Sequence, residues 1–363
     1  MILSLALIFN FCIGGVSAAS GDIIYVNGSS GNDSWDGLSS TWISGTKGPK
    51  LSIKNATGTV NSGGTVNIAD GDYKGANNTK ITINKNMNII GQSQKGTVIN
   101  GTDSAWIFKI QSGGTVTIQN LTLSEGFVFD DLGVISNNGN LTLTGCNFLK
   151  SSVQSSMEFC VGPIYNNGTL TVTNSNFADN YACNSGGGAI YNEGTLAVTN
   201  SNFTNNNGYG CGGAIFNLGI LTVTGSNFAD NKAYGAGGAI LNAGTMTVTG
   251  SSFTNNYADG YGDGPIVQIA GGAIYNNYGA IFTMNSCQFA GNIPQDIYNG
   301  TKPFEDYYDG YGEDDDLFID PGTTVKAASK ITRTIGLQKT GLPLNYLILA
   351  ILMVIGSLMP IKR

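Results

Sequence analysis

Along most of this chain, apolar and polar positions alternate with a period of two, in short runs broken by glycine and asparagine. In one such run Leu170 and Val172 alternate with Thr169, Thr171 and Thr173. Period-two alternation of β-branched and leucine residues is the signature of a strand with one buried face. The pattern predicts a first strand over 169–173 with Leu170 and Val172 inward. A second is expected around 175–177 with Ser175 and Phe177 inward, and a third over 189–191 with Ile190 inward. No stretch of the repeat shows apolar residues at helical spacing. Glycines and asparagines between the runs supply the left-handed backbone conformations of corners.

The runs recur. Copies begin at Gly168, Gly194, Gly219 and Gly244, separated by 26, 25 and 25 residues. A degenerate copy starts at Gly279 after a ten-residue insertion over 259–268, and Gly64, Gly114 and Gly139 keep the phase upstream. A fixed period of this length means one supersecondary unit stacked on its neighbours. With strands as the units, the expected fold is all-β, a right-handed parallel β-helix of about 25 residues per coil. Roughly eleven coils stacked at about 4.8 Å make a rod on the order of 50 Å long. Phe177, Phe203, Phe228, Phe253 and Phe289 then fall into one aromatic column, and Asn180, Asn206, Asn231, Asn256 and Asn292 into an internal amide ladder. Cys146 and Cys287 take the position of Ser175, Ser201, Ser226 and Ser251, which reads them as small buried fillers.

Two motifs carry a family resemblance: Gly-Gly-Ala-Ile at 187–190, 212–215, 237–240 and 271–274, and Phe-x-x-Asn at 177–180, 203–206, 228–231, 253–256 and 289–292. Together they resemble the polymorphic outer membrane protein repeats of chlamydiae. The whole layout is similar to the adhesin-like surface proteins of methanogenic archaea. The opening Ile24-Tyr25-Val26-Asn27, with the glycine- and asparagine-rich 31–37, resembles the entrance of many extracellular β-helices. The resemblance implies a surface-displayed rod that binds cells or glycans.

The two ends differ from the repeat. Residues 1–19 read as a signal peptide, with cleavage after Ala18 or Ala19. The 20 residues 342–361 are largely apolar and precede Lys362 and Arg363, which predicts a transmembrane anchor with a cytoplasmic basic tail and everything upstream outside. Leu337-Gln338-Lys339-Thr340-Gly341 resembles a sortase-type sorting signal with Gln338 in place of proline, so plain membrane retention is the preferred reading. The organisation is therefore a signal peptide (1–19), a β-helix domain (20–300), an acidic spacer or stalk (301–341) and an anchor (342–363).

Charge and composition exclude several functions. With 17 lysines and arginines against 24 aspartates and glutamates, the formal net charge is −7, and no basic stripe exists to bind nucleic acid. Histidine is absent, which removes His-dependent triads and His metal ligands. Outside the signal peptide the five cysteines Cys146, Cys160, Cys183, Cys211 and Cys287 show no CxxC spacing; a single bridge fits an exported protein better than a disulfide framework.

Candidate chemistry is sparse. Asp130 and Asp131 are adjacent, and neighbours on a strand point to opposite faces, unlike the facing carboxylates of a glycosidase. Asp70-Gly71-Asp72 reads as a turn. Asp-Gly-Tyr-Gly occurs at 259–262 and 309–312, the second running into Glu313, Asp314, Asp315 and Asp316. Such oxygen-rich loops could hold Ca²⁺, but they match no calcium-loop pattern, so no metal residue and no cofactor is assigned. The chain is read as non-catalytic, with an extracellular polysaccharide-active β-helix enzyme (lyase or hydrolase) or a passive structural envelope protein as the alternatives. Segments between Phe-x-x-Asn and Gly-Gly-Ala would emerge on one side and carry Tyr209, Tyr234, Tyr257 and Tyr261, the candidate ligand-binding residues, whose exposed rings can stack on sugars. Expected partners are other cell surfaces, glycans or surface proteins. Ten N-x-Ser/Thr sequons, at Asn27, Asn32, Asn55, Asn77, Asn100, Asn120, Asn140, Asn167, Asn202 and Asn299, allow surface glycosylation.

Overall fold

A computed structural model describes residues 22–129, 133–154, 162–183, 186–260 and 271–300, together with a two-residue strand at Thr332–Arg333. The signal peptide, the stalk apart from Thr332–Arg333, the membrane anchor, Asp130 and Asp131, Tyr261 and the second Asp-Gly-Tyr-Gly lie outside the described residues. Among the described residues no helix is long and apolar enough to cross a membrane.

The chain is a parallel β-solenoid. One sheet runs through ten strands, from Ile23–Val26 to Ile281–Asn285, each pairing in parallel with its neighbours in the stack. Ten strands replace the expected eleven coils, and nine steps of about 4.8 Å give a rod of roughly 43 Å. Leu170 pairs with Leu196 and Val172 with Val198, so identical side chains stack inward and are fully buried. A second sheet holds the Phe177 position, as in Asn176–Ala178, and a third holds Ile190–Asn192.

Each central coil has four strands, where the repeat pattern predicted three. The extra sheet has six very short strands: Phe127–Phe129, Ser152–Gln154, Tyr181–Ala182, Asn207–Gly208, Lys232–Ala233 and Tyr257–Ala258. Alternation over two or three residues is too short to register as a pattern. A second departure is a helix, Ile53–Thr59, near the N-terminal end. Ser52 caps it, accepting from the Asn55 amide, and Ile53 and Ala56 are buried against the first coil. Asp72 also lies in a strand, Gly71–Tyr73, rather than a turn.

The interior holds the predicted columns. Phe177, Phe203, Phe228, Phe253 and Phe289 stack at 4.6–5.1 Å with ring planes within 8° of parallel, and Phe148 adds one further ring at the head. In the amide ladder each asparagine donates to the Oδ1 of the next at 2.9 Å, from Asn180 through Asn206, Asn231 and Asn256 to Asn292. A second buried ladder that sequence reading missed joins Asn137, Asn166, Asn192, Asn217, Asn242 and Asn276 at 2.7–2.8 Å. These two rows satisfy polar groups that a dry core would otherwise leave unpaired. Left-handed corners fall where expected, at Asn174, Asn200, Gly225 and Gly250 before the second strand and at Asp179, Asn205, Asp230 and Asn255 after it.

The serines beside Cys146 are more than fillers. The Ser175, Ser201, Ser226 and Ser251 hydroxyls each accept the backbone N–H of the preceding coil at 3.1–3.2 Å, the first from Cys146. Cys146 and Cys287 are buried as predicted, and burial pushes the Cys146 thiol up to about 11. The thiolate is the nucleophile, so at pH 8 its fraction is on the order of a hundredfold below that of an unperturbed thiol. Iodoacetamide at pH 8 is therefore expected to label Cys146 and Cys287 only after unfolding. Mass spectrometry showing equal labelling rates in folded and unfolded chains would contradict this.

Candidate functional site

The short fourth sheet presents the predicted tyrosines. Its inward positions are small and buried: Ala182, Gly208, Ala233 and Ala258. Its outward positions form two columns along the rod. One runs Phe127, Ser152, Tyr181, Asn207, Lys232, Tyr257. Two residues further along each coil, backbone bonds from Tyr209 to Ala182, Tyr234 to Gly208 and Asp259 to Ala233 extend the ladder. Phe129, Gln154, Cys183, Tyr209, Tyr234 and Asp259 make the second column. Aromatic and polar side chains thus share one face over six coils.

The tyrosines do not offer their rings in the way the sequence reading expected. Tyr209 and Tyr234 stack on each other, centroids 5.0 Å apart and planes 6° from parallel. Adjacent coils bring the rings face to face, so the shared faces are closed to a sugar. What remains open is the ring edges, the hydroxyl end and the two outer faces of the pair; Tyr209 keeps 48% of its surface exposed. Tyr257 lies one coil further. Its hydroxyl donates to Asp259 Oδ1 at 3.0 Å, a bond that holds the phenol above its ordinary range, and the Lys232 ammonium sits 5.3 Å from its ring centroid. Tyr181 approaches Tyr209, and burial raises its phenol. The structure thus brings Tyr209, Tyr234 and Tyr257 together on one face. Phe127, Phe129 and Tyr181 belong to the same strip and escaped sequence reading, because the two-residue strands that align them leave no repeat signal. Phe129 is the most exposed of them, at 58%.

Cys183, in the column just before Tyr209, is disulfide-bonded. Cys211 is buried beneath the strip with Ala236, in a satellite cluster that covers the outer side of the third sheet with Tyr191, Phe216, Leu241 and Tyr275. Among the described residues no three acidic, cysteine or histidine side chains gather as a metal site. Asp70 accepts hydroxyls from Ser93 and Thr97, and Asp72 pairs with Lys74 at 2.8 Å on the surface. The strip can therefore hydrogen-bond and stack; among its described residues no carboxylates pair.

A stack of parallel coils with an aromatic outer strip defines a parallel β-solenoid. The Chlamydia polymorphic membrane protein repeat matches residues 250–277, which span the last full Phe-x-x-Asn and Gly-Gly-Ala-Ile pair. No curated protein matches the chain in sequence. Among solved structures, ORF18 of Geobacillus virus E2 is similar at 14% identity and a TM-score of 0.43, over 77% of this chain and 57% of that one, so the chain spans little more than half of the viral protein. A pectin methylesterase from Aspergillus niger is similar at 13% identity and a TM-score of 0.38, over 77% and 90% of the two chains. Pectin methylesterase PemA from Erwinia chrysanthemi gives 11% identity and 0.30, over 76% and 80%.

Proposed function

We propose that the chain is a non-catalytic, adhesin-like protein displayed at the cell surface, whose solenoid binds glycans of other cells or surfaces through the aromatic strip of the short sheet. The observation that carries the reading is the strip itself: Phe129, Tyr181, Tyr209, Tyr234 and Tyr257 on one outer face, interleaved with Asn207, Lys232 and Asp259. Aromatic platforms flanked by hydrogen-bonding groups suit the mixed apolar and hydroxyl surfaces of sugars. The polymorphic membrane protein repeat at 250–277 and the apolar segment 342–361 support display and anchoring at the envelope.

The full chain on a glycan array tests this, with release of reducing ends or unsaturated products followed in parallel. Saturable binding without turnover is expected. Changing Tyr209 and Tyr234 together to alanine should weaken it about tenfold or more, because centrally placed tyrosines carry much of the binding energy of a contact face. Both side chains point outward, so the unfolding midpoint should stay near that of the native chain. Unchanged affinity in that variant would remove the strip from the binding site, and turnover would replace the adhesin reading with an enzyme.

A further inference from the structure

A second recess lies on the outer face of the second sheet, near the N-terminal half of the rod. Here the strands Thr97–Asn100, Thr122–Ser124 and Asn147–Leu149 pair in register. Outward positions of this sheet are half-buried or exposed in later coils, as at Asn176, Asn202 and Thr204. In these early coils the equivalent Thr122, Ser124 and Asn147 are only 5%, 8% and 8% exposed. They form the floor of a shallow groove of about 400 Å³, with Val98 and Leu149 as apolar surface and Lys95, Lys150 and Glu125 around it.

The groups in this groove are unequally satisfied. Asn147 donates to Thr122 Oγ1 at 3.0 Å and accepts from Asn176 at 2.9 Å, so this part of the floor is fixed. Among the described residues the Ser124 hydroxyl makes no hydrogen bond, although its residue is more than nine-tenths buried and lines the groove. The Glu125 carboxylate accepts from the Asn100 amide at 2.9 Å. Nearby, Asp70 is engaged by hydroxyls and Asp72 by Lys74. That pair is the one ion pair among the described residues; Lys95 and Lys150 have no carboxylate within bridging distance.

We infer that this groove is a binding site for an acidic sugar, a carboxylate-bearing pyranose unit of a polysaccharide. Lys95 and Lys150 supply the cationic rim for the carboxylate, Ser124 hydrogen-bonds a ring hydroxyl, and Val98 and Leu149 meet the apolar face of the ring. A volume of about 400 Å³ is at the lower end of the range of small-molecule pockets, which suits one or two sugar rings. Charge-assisted bonds to an ammonium are among the stronger polar contacts, and they discriminate acid from neutral sugar. The site goes beyond the aromatic strip, which lies on a different sheet and would act independently of it.

Titration calorimetry of the full chain with a hexuronate trisaccharide, and with the same trisaccharide after reduction of its carboxyl groups, tests the assignment. The acid form is expected to bind, and the reduced form to bind at least about tenfold more weakly. Lys95→Gln combined with Lys150→Gln should weaken the acid form by at least about tenfold while leaving the fold intact, since both ammonium groups are on the surface. Neutral glycans captured on the array should bind the double glutamine variant as they bind the native chain, which separates this site from the strip. No binding of the trisaccharide, equal affinity for both forms, or equal affinity in the double glutamine variant would each overturn the inference.

Discussion

Changing Gly213 to alanine is expected to destabilise the solenoid by on the order of 3–5 kcal/mol, or to prevent folding of the central coils. A Cβ on Gly213 would lie 2.0 Å from the Gly238 carbonyl oxygen and 2.7 Å from the backbone of Lys232. Both obstacles are main chain, so no side chain can rotate away. The same approach repeats down the column: Gly188 faces the Gly213 oxygen at 2.1 Å and Gly238 faces the Gly272 oxygen at 2.0 Å. Relief requires the coils to part, which breaks parallel backbone bonds such as that from Gly213 to Gly237 at 2.9 Å. Gly58 is the contrasting position. It sits in the helix Ile53–Thr59 with nothing near its would-be Cβ, so Gly58→Ala should stabilise by about 0.5–1 kcal/mol from helix propensity. Urea unfolding of both variants checks the pair. A Gly213→Ala midpoint equal to the native one would show that the coils can separate at little cost.

The Gly-Gly-Ala-Ile motif illustrates what the sequence made legible and what it hid. Its repetition at a fixed period identified the solenoid, and glycines between the runs were read as corners; in three of the four copies the first glycine is one, Gly212, Gly237 and Gly271 having φ of 67°, 70° and 57°. The second glycine serves close approach between coils, a reason that exists only once neighbouring coils are stacked. The columns of Phe177 and Asn180 were legible because each recurs once per period at a fixed offset. The ladder through Asn166, Asn192, Asn217 and Asn242 recurs just as regularly, yet it was missed, because an asparagine beside a glycine turn has an adequate local explanation. The site was less legible than the fold. Tyr209, Tyr234 and Tyr257 stood out as aromatics in variable segments, but their alignment on one face, and the stacking of Tyr209 on Tyr234, depends on strands of two residues. The groove under Lys95 and Lys150 arises from how far each strand sinks below its surroundings, and no single-chain pattern records that depth.

Replacing Asn231 by alanine should cost about as much as the glycine change, on the order of 3–5 kcal/mol, for a different reason. Its Nδ2 donates to the Phe203 carbonyl and to Asn256 Oδ1, each at 2.9 Å. Its Oδ1 accepts the Asn206 backbone N–H at 3.0 Å and the Asn206 amide at 2.9 Å. All of these partners belong to residues that are fully buried, so alanine removes bonds from two Asn206 donors and the Phe203 carbonyl with no water to replace them, while Asn256 Oδ1 keeps the Asn231 backbone N–H at 3.1 Å. Each orphaned buried group costs roughly 1–3 kcal/mol, and the shortened side chain adds a small cavity. In a solenoid each coil is stabilised mainly by its neighbours, so the loss falls on the interfaces either side of the Asn231 coil. The matching control is Asn202→Ala. That asparagine also donates at 2.9 Å to an asparagine one coil away, Asn176, but it is exposed, and water can take the vacated bonds. Its loss should cost no more than about 0.5–1 kcal/mol. Equal unfolding free energies for the two variants would mean that the internal ladder contributes no more than a surface row. A gap of several kcal/mol would locate the stability of the rod in its buried amides as well as in its phenylalanines.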